Sequence, residues 1–188
     1  VVLTNKYYEG IVPTPNEFTE VDEQTLAEIK AYPSVISSSI ERYRFREAQG
    51  ELMNVARLGN KYLADEEPWK MVKTDPERVK TQMYVALQIA SALAILSEPF
   101  LPFTSKKLCA ALNIELNNWN LDFDQWNSAK AGHTINQCEI LFAQIEDSEI
   151  QNQIDKLEAT KKANVVENTM EETTITPQKP TATFDDFT

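Results

Sequence analysis

Few residues in this chain have the types and spacings that catalysis requires. His133 is the only histidine, so a histidine-based triad would depend on one residue in a stretch without regular periodicity. The two cysteines, Cys109 and Cys138, are too few for a thiolate zinc site or a disulfide framework. No glycine-rich phosphate loop and no HExxH motif occurs. We therefore predict no catalytic, cofactor-binding or metal-binding residue in this chain, and a structural hydrogen-bonding role for His133.

A second cluster that could do chemistry is the acidic run Asp65–Glu67, which is followed by Pro68 and Trp69. The three carboxylates have no recognisable partner in the sequence, which favours a solvated turn over acid–base catalysis. The Trp69 ring follows a proline at the end of a predicted helix. Unpaired RNA bases stack on aromatic side chains, and each such contact contributes ~1–3 kcal/mol. The residues alone leave two interpretations open: base stacking by Trp69, or packing of its ring across the helix junction.

The elements that position these side chains are predicted to be helices. Residues 1–9 have the pattern of a helix end stopped by Gly10. Thr19 and Asp22 form a capping-box pattern that begins a helix to about Tyr43, which Pro33 should kink or split. The next helix is predicted over residues 45–64. Its apolar or small residues recur every three or four positions, at Phe45, Ala48, Leu52, Val55, Gly59 and Tyr62.

In the second half, Asp75 and Pro76 have the pattern of an N-cap and a first-turn proline. They begin an apolar helix over residues 76–97, which we predict to be the buried centre. A short helix follows over 103–112, then an irregular stretch over 113–146 with extended pieces near Ile140–Ile145, then a polar helix over 148–161. The predicted fold class is all-α: an antiparallel bundle of four to five helices with an irregular C-terminal segment.

Charge is distributed unevenly along the chain. The net charge is −11, but residues 113–188 hold 5 basic against 14 acidic residues, whereas residues 42–80 hold 9 basic against 7 acidic. A local surface that binds RNA is therefore compatible with the acidic total. The low cysteine content favours the reducing cytoplasm, and no run of ~18–20 consecutive apolar residues predicts a membrane span.

The segment Tyr43–Lys70, YRFREAQGELMNVARLGNKYLADEEPWK, resembles the anticodon-binding domain of bacterial methionyl-tRNA synthetases. The shared elements are FREA at the helix start, N-x-Y near its end, and the acidic turn closed by Pro68 and Trp69. NKYYEGIVP, SEPFLPFTSKKL, and GH followed by LFAQIED extend the resemblance over residues 1–160. PTATFDDFT at the C-terminus is similar to the opening of an OB-fold tRNA-binding domain, so residues 161–188 are predicted to be a disordered linker leading to such a domain.

The resemblance implies recognition of the CAU anticodon of tRNA(Met), on behalf of a methionine–tRNA ligase whose catalytic core lies outside this chain. The HIGH and KMSKS signatures of that core are absent. ATP, and zinc in some members, would be used by the full-length enzyme and not by this segment. Dimerisation through the OB-fold domain is also implied. The alternatives are the anticodon-binding domain of another class I synthetase, such as the cysteinyl or leucyl enzyme, and a non-enzymatic helical scaffold.

Among site residues, the resemblance implies that Trp69 stacks on the first anticodon base. The family also uses an asparagine and an arginine one turn apart on the preceding helix, which match Val2 and Lys6 here. This chain departs from that pattern: Lys6 keeps the charge but not the planar guanidinium, and Asn5 could supply the amide, unless the contact lies upstream of Val1. Asn60 and Lys61 are further candidates for RNA contact.

Overall fold

The helices of a computed structural model confirm the all-α prediction. The structure describes residues 1–115 and 129–170, and residues 116–128 of the predicted irregular stretch lie outside them. The described helices are α1 (Val2–Tyr8), α2 (Glu20–Glu41), α3 (Phe45–Glu66), α4 (Pro68–Met71), α5 (Pro76–Leu96), α6 (Pro102–Leu112) and α7 (Asp147–Met170). Residues 1–141 form one compact unit, and residues from Phe142 onwards form a second.

Helix α2 begins as the sequence predicts. The Thr19 hydroxyl accepts a hydrogen bond from the backbone N–H of Asp22, and the Asp22 carboxylate accepts from the backbone N–H of Thr19. Pro33 does not split the helix, which continues from Glu20 to Glu41. Ile29 and Ile36 flank Pro33 and are fully buried. Burial on both sides of the proline outweighs the single helical hydrogen bond that it removes.

Helix α3 presents its predicted apolar face to the core. Ala48, Leu52, Val55, Gly59 and Tyr62 are its buried residues. Phe45, the first residue of the predicted apolar period, is the exception, because it is 57% exposed. It occupies the first position of α3, where its ring pairs with that of Tyr43 instead of entering the core.

Helix α5 is the centre of the first unit, as predicted. It packs against α2, α3, α4 and α6, and its start follows the predicted cap, since the Asp75 side chain accepts from the backbone N–H of Arg78. Its length and composition would suffice to cross a membrane, but 72% of the apolar window is buried inside the bundle. That burial is typical of the core helix of a globular domain.

The stretch after α6 packs beside α5 and the N-terminal segment. The Gln88 amide of α5 donates to the carbonyl of Ala129 at 2.9 Å, and Ile11 forms an isolated antiparallel bridge with Thr134. Among the described residues no strand is present at Ile140–Ile145, and the isolated bridge lies at Thr134 instead.

Helix α7 belongs to the second unit and runs past its predicted end at Lys161 to Met170. Residues 162–170 are therefore helical, because extending a helix already begun costs little even for a polar sequence. The rest of the predicted linker lies outside the described residues. The division of the chain into a domain and a linker near residue 160 remains a prediction.

Candidate nucleic-acid interface at the junction of α3 and α4

The junction between α3 and α4 reverses the chain through one residue. Glu67 has a left-handed backbone with φ 40°, and its N–H closes α3 on the carbonyl of Leu63 at 3.0 Å. A left-handed conformation is disfavoured for a residue with a side chain by ~1–2 kcal/mol. Pro68 then takes the first position of α4, where no N–H donor is needed, and it is buried.

Trp69 follows directly and lies on the surface. The residue is 46% exposed, so part of it is accessible to solvent. A fully buried ring would support only packing across the junction, the second interpretation drawn from the sequence. The observed exposure leaves part of Trp69 accessible for stacking on a base, and the proline and the closed turn restrict the backbone that carries it.

A buried ionic cluster joins the ends of three helices beside this turn. Arg78, in the first turn of α5, pairs with Asp22 of α2 and donates to the Glu66 carboxylate of α3 at 2.7 Å. The Tyr62 hydroxyl donates to Asp22 at 2.5 Å, and the Gln82 amide donates to the Glu66 carboxylate at 2.8 Å. Asp22 is fully buried and the guanidinium is mostly so. We call these five residues the Asp22–Arg78 cluster.

The cluster has strongly perturbed titration behaviour. Burial alone would raise the pKa of Asp22, but hydrogen bonds from Arg78, Tyr62 and the backbone of Thr19 outweigh it and hold that pKa below its ordinary value. The pKa of Arg78 is raised because the hydrogen bond to Asp22 outweighs its desolvation. Burial, followed by the hydrogen bond to Asp22, raises the pKa of Tyr62. All three groups thus keep the charge state that holds the helices together.

The cluster fixes the residue that precedes the turn. Glu66 is bound through its carboxylate by Arg78 and Gln82, and its carbonyl also accepts from the Gln82 amide at 3.2 Å. The backbone of Glu67, and with it the direction of Trp69, follows from that anchorage. The prediction of a solvated acidic turn was therefore wrong for Glu66. Sequence reasoning missed the cluster, because its members lie far apart in the chain and no motif links them.

Asn60 and Lys61 lie on α3 within two helical turns of its C-terminal end, and both are exposed. Six residues from Asn60 to Glu66 correspond to ~9 Å along the helix axis. Lys61 borders a shallow groove between α2 and α3 that Glu28, Leu58 and Asp65 also line. Neither side chain has a hydrogen bond or ion pair to any described residue. They are available to a ligand at the Trp69 end of α3.

Asn5 and Lys6 of α1 differ in how far their side chains are engaged by the protein. The Asn5 amide donates to the carbonyls of Val1 and Asn136, at 3.1 and 3.0 Å, and its oxygen would lie 2.9 Å from a Cβ added to Gly10. Asn5 therefore fixes α1 to a neighbouring loop. Lys6 is exposed, with its ammonium 5.2 Å from the Tyr7 ring centroid. Its charge faces solvent, whereas the Asn5 amide already has protein partners.

The segment after α1 brings that helix towards the start of α5. The backbone N–H of Asn16 donates to the Thr81 hydroxyl at 2.9 Å, and the Asn16 amide donates to the Glu77 carboxylate at 2.6 Å. Burial, and then the nearby charge of Glu77, raises the pKa of Tyr8. The end of α1 and the turn that holds Trp69 are thus both packed near the first turns of α5.

The histidine and the two cysteines considered above for catalysis or metal binding are either buried or hydrogen-bonded within the protein. The Nε2 atom of His133 is 2.9 Å from the carbonyl of Leu112, and the His133 carbonyl accepts from Val12. Cys109 is buried, which raises the pKa of its thiol. Cys138 donates weakly to the carbonyl of Glu139. Among the described residues, no three His, Cys, Asp or Glu side chains converge on a point where a metal could bind.

Comparison with known proteins places this arrangement in a family. A family model described as the anticodon binding domain of methionyl tRNA ligase matches residues 12–162. The methionine–tRNA ligase of Flavobacterium psychrophilum is 71% identical over all 188 residues, and that of Christiangramia forsetii is 64% identical over 194 aligned positions. The chain spans 27% of the length of the first and 28% of the second.

Solved structures share the fold. The free form of the methionyl-tRNA synthetase of Mycobacterium tuberculosis aligns with a TM-score of 0.69 at 21% identity, over 77% of this chain and 30% of that one. The same synthetase in complex with methionyl-adenylate aligns with a TM-score of 0.69 at 22% identity, over 76% of this chain and 29% of that one. At this identity the likeness concerns the fold alone.

Proposed function

Because the chain belongs to the family of anticodon-binding domains of methionyl-tRNA ligases, we propose that it recognises the CAU anticodon of tRNA(Met) and that Trp69 stacks on the first anticodon base. The observation that carries this proposal is the half-exposed Trp69 ring on a turn anchored by the Asp22–Arg78 cluster. A rigid, accessible aromatic face is what stacking on an unpaired base requires.

The polar part of the site is proposed from exposure and position. Asn60 and Lys61 are exposed near the Trp69 end of α3, and their amide and ammonium groups can bind base edges and phosphates. Lys6 is exposed on α1 and can contribute a charge. Asn5 is the weakest candidate, because its amide already donates to two carbonyls. Its role in RNA binding would be indirect, through the placement of α1.

The proposal for the whole protein follows from the relatives. The chain spans about a quarter of their length, so we place it within a longer, cytoplasmic methionine–tRNA ligase. Anticodon binding by this segment would position the acceptor end of the tRNA in a separate catalytic core, which would consume ATP and methionine. The family resemblance is the sole basis for proposing zinc in that core and dimerisation through an OB-fold domain.

The test is a titration of the chain with tRNA(Met) and with a copy whose CAU anticodon is altered. Loss of one stacked or edge-bound base should weaken binding by roughly tenfold or more, at ~1–3 kcal/mol per base. The full-length ligase is titrated in parallel, because phosphate contacts elsewhere add affinity without sequence preference. Equal binding of both tRNAs by the full-length protein would contradict the proposal and would favour the helical scaffold as the alternative.

A further inference from the structure

The turn between α2 and α3 presents an unusual surface. Its five residues, Arg42, Tyr43, Arg44, Phe45 and Arg46, alternate arginine with aromatic rings, and all five are exposed. We call them the arginine–aromatic turn. Tyr43 is 83% exposed and Phe45 is 57% exposed. Their rings contact each other edge to face, with centroids 6.3 Å apart.

The backbone of this turn is held in a disfavoured conformation. Tyr43 has φ 61°, a left-handed value that is uncommon for a bulky residue. The N–H of Tyr43 donates to the carbonyl of Ile40 at 2.9 Å, and that of Arg44 to the carbonyl of Ser39 at 2.8 Å. The turn is therefore closed, and it directs a large aromatic side chain into water. Asparagine or glycine would form the same turn with less strain, so stability alone does not account for a tyrosine here.

Two of the three arginines of the turn have no ion pair to a residue that the structure describes, although Glu41 and Glu47 flank it in the sequence. Arg44 pairs with Glu47 at 3.5 Å, and both side chains are more than half exposed. The side chains of Arg42 and Arg46 have neither a hydrogen bond nor an ion pair within the described parts of the chain. Three positive charges in five residues, without an acidic residue among them, stand out in a chain with a net charge of −11.

One further arginine lies beyond the turn, in a row of exposed residues on α3. Gly50, Met53 and Arg57 follow Arg46 at steps of three or four residues, and all are exposed. No acidic residue interrupts this row. The row leads from the arginine–aromatic turn towards Asn60 and Lys61, at the Trp69 end. The 22 residues of α3 separate its two ends by ~33 Å at 1.5 Å per residue.

We propose that the arginine–aromatic turn is a second RNA-binding surface, which holds the sugar–phosphate backbone of the tRNA whose anticodon reaches Trp69. The inference rests on the proposed function and extends it to a distant contact. Planar guanidinium groups bind phosphate oxygens through paired hydrogen bonds. Exposed aromatic rings between them pack against riboses or base faces without regard to sequence.

The test uses the full-length ligase with Arg42, Arg44 and Arg46 changed together to glutamine. Binding of tRNA(Met) is measured at several NaCl concentrations. Loss of two to three phosphate contacts should reduce the slope of log K against log salt by about 2. The preference for the CAU anticodon should remain. Tyr43→Ala alone should lower affinity by several-fold without changing the slope.

A matched control removes three charges elsewhere. Lys156, Lys161 and Lys162 on α7 are exposed, and their joint change to glutamine should leave the salt slope unaltered. An unchanged slope in the arginine variant, or an equal change in both variants, would overturn the inference and leave Trp69 recognition intact. A clear drop in melting temperature in the arginine variant would instead assign the turn to protein packing. If wild-type ligase ignored the anticodon, the proposed function itself would fail, whatever the slope.

Discussion

The two ends of α3 are built in opposite ways. At the C-terminal end, the Asp22–Arg78 cluster buries an arginine and two carboxylates and fixes the turn that carries Trp69. At the N-terminal end, the arginine–aromatic turn leaves its charges in water, with only one exposed ion pair. Buried pairs are sensitive to geometry, whereas exposed charges tolerate movement but are screened by salt beyond about 10 Å. The difference would suit the two roles proposed for these ends, recognition of a base near Trp69 and contact with a phosphate backbone at the arginine–aromatic turn.

The largest effect is expected from breaking the cluster. Arg78→Met removes the cation between Asp22 and Glu66, which leaves two carboxylates with reduced compensation, one of them fully buried. We expect a loss of ~3–5 kcal/mol in the free energy of unfolding, measured by urea denaturation. The control is Lys80→Met on the same helix, whose exposed pair with Glu77 should contribute less than about 1 kcal/mol. Similar losses in the two variants would contradict the proposed importance of the cluster.

Lowering the pH should weaken the same cluster and cost less stability than the Arg78 substitution. The pKa of Asp22 is lower in the folded protein than its ordinary value. As the pH falls, the unfolded chain binds the proton at Asp22 first, because its pKa is the higher one. The contribution of ionised Asp22 to the free energy of unfolding is therefore complete above about pH 4 and is lost as the pH falls through the folded-state pKa. Urea midpoints measured between pH 7 and pH 3 should fall in the acid range. The fall should be shallower in Asp22→Asn, and identical profiles would argue against an ionised Asp22.

Smaller changes in stability, of different sign, are expected when each of the two glycines inside α3 is replaced by alanine. A Cβ at Gly59 would meet Cγ2 of Ile89 on α5 at 2.9 Å, whereas a Cβ at Gly50 would meet nothing within 4 Å. Gly50→Ala should stabilise the chain by roughly 0.5–1 kcal/mol through helix propensity. At Gly59 the same gain is opposed by an overpacking cost of ~1–3 kcal/mol, so Gly59→Ala should be neutral or destabilising. Thermal melts of both variants check this, and equal stabilisation would show that α5 does not pack closely there.

Sequence patterns predicted the helices well where the signal was local. The Thr19–Asp22 capping box, the Asp75–Pro76 start and the apolar period of α3 each act within one or two turns. The apolar period did not predict burial at Phe45, because this residue is the first of α3 and directly follows a turn. Sequence patterns also failed at the end of α7, since a polar composition does not specify where a helix stops.

The candidate site was predictable only in part. Trp69 was identified through the family resemblance, and the structure adds that its ring is half exposed. The Asp22–Arg78 cluster could not be predicted, because Asp22 and Arg78 are 56 residues apart and meet only once α2, α3 and α5 have packed. The polar members of the site, Asn5, Lys6, Asn60 and Lys61, remain predictions. Their roles depend on a bound RNA and not on contacts within the chain.

The central claim is that Trp69 acts on tRNA and not on folding. It is tested most directly by Trp69→Ala in the full-length ligase, with Trp69→Phe as the matched variant that keeps an aromatic face. We expect Trp69→Ala to lose on the order of 1–3 kcal/mol of tRNA(Met) binding, about a ten- to hundredfold drop in affinity, and to keep its melting temperature. Trp69→Phe should retain most of the binding. A loss of ~3–5 kcal/mol in stability, with tRNA binding by the remaining folded protein unchanged, would mark Trp69 as a packing residue and contradict the account.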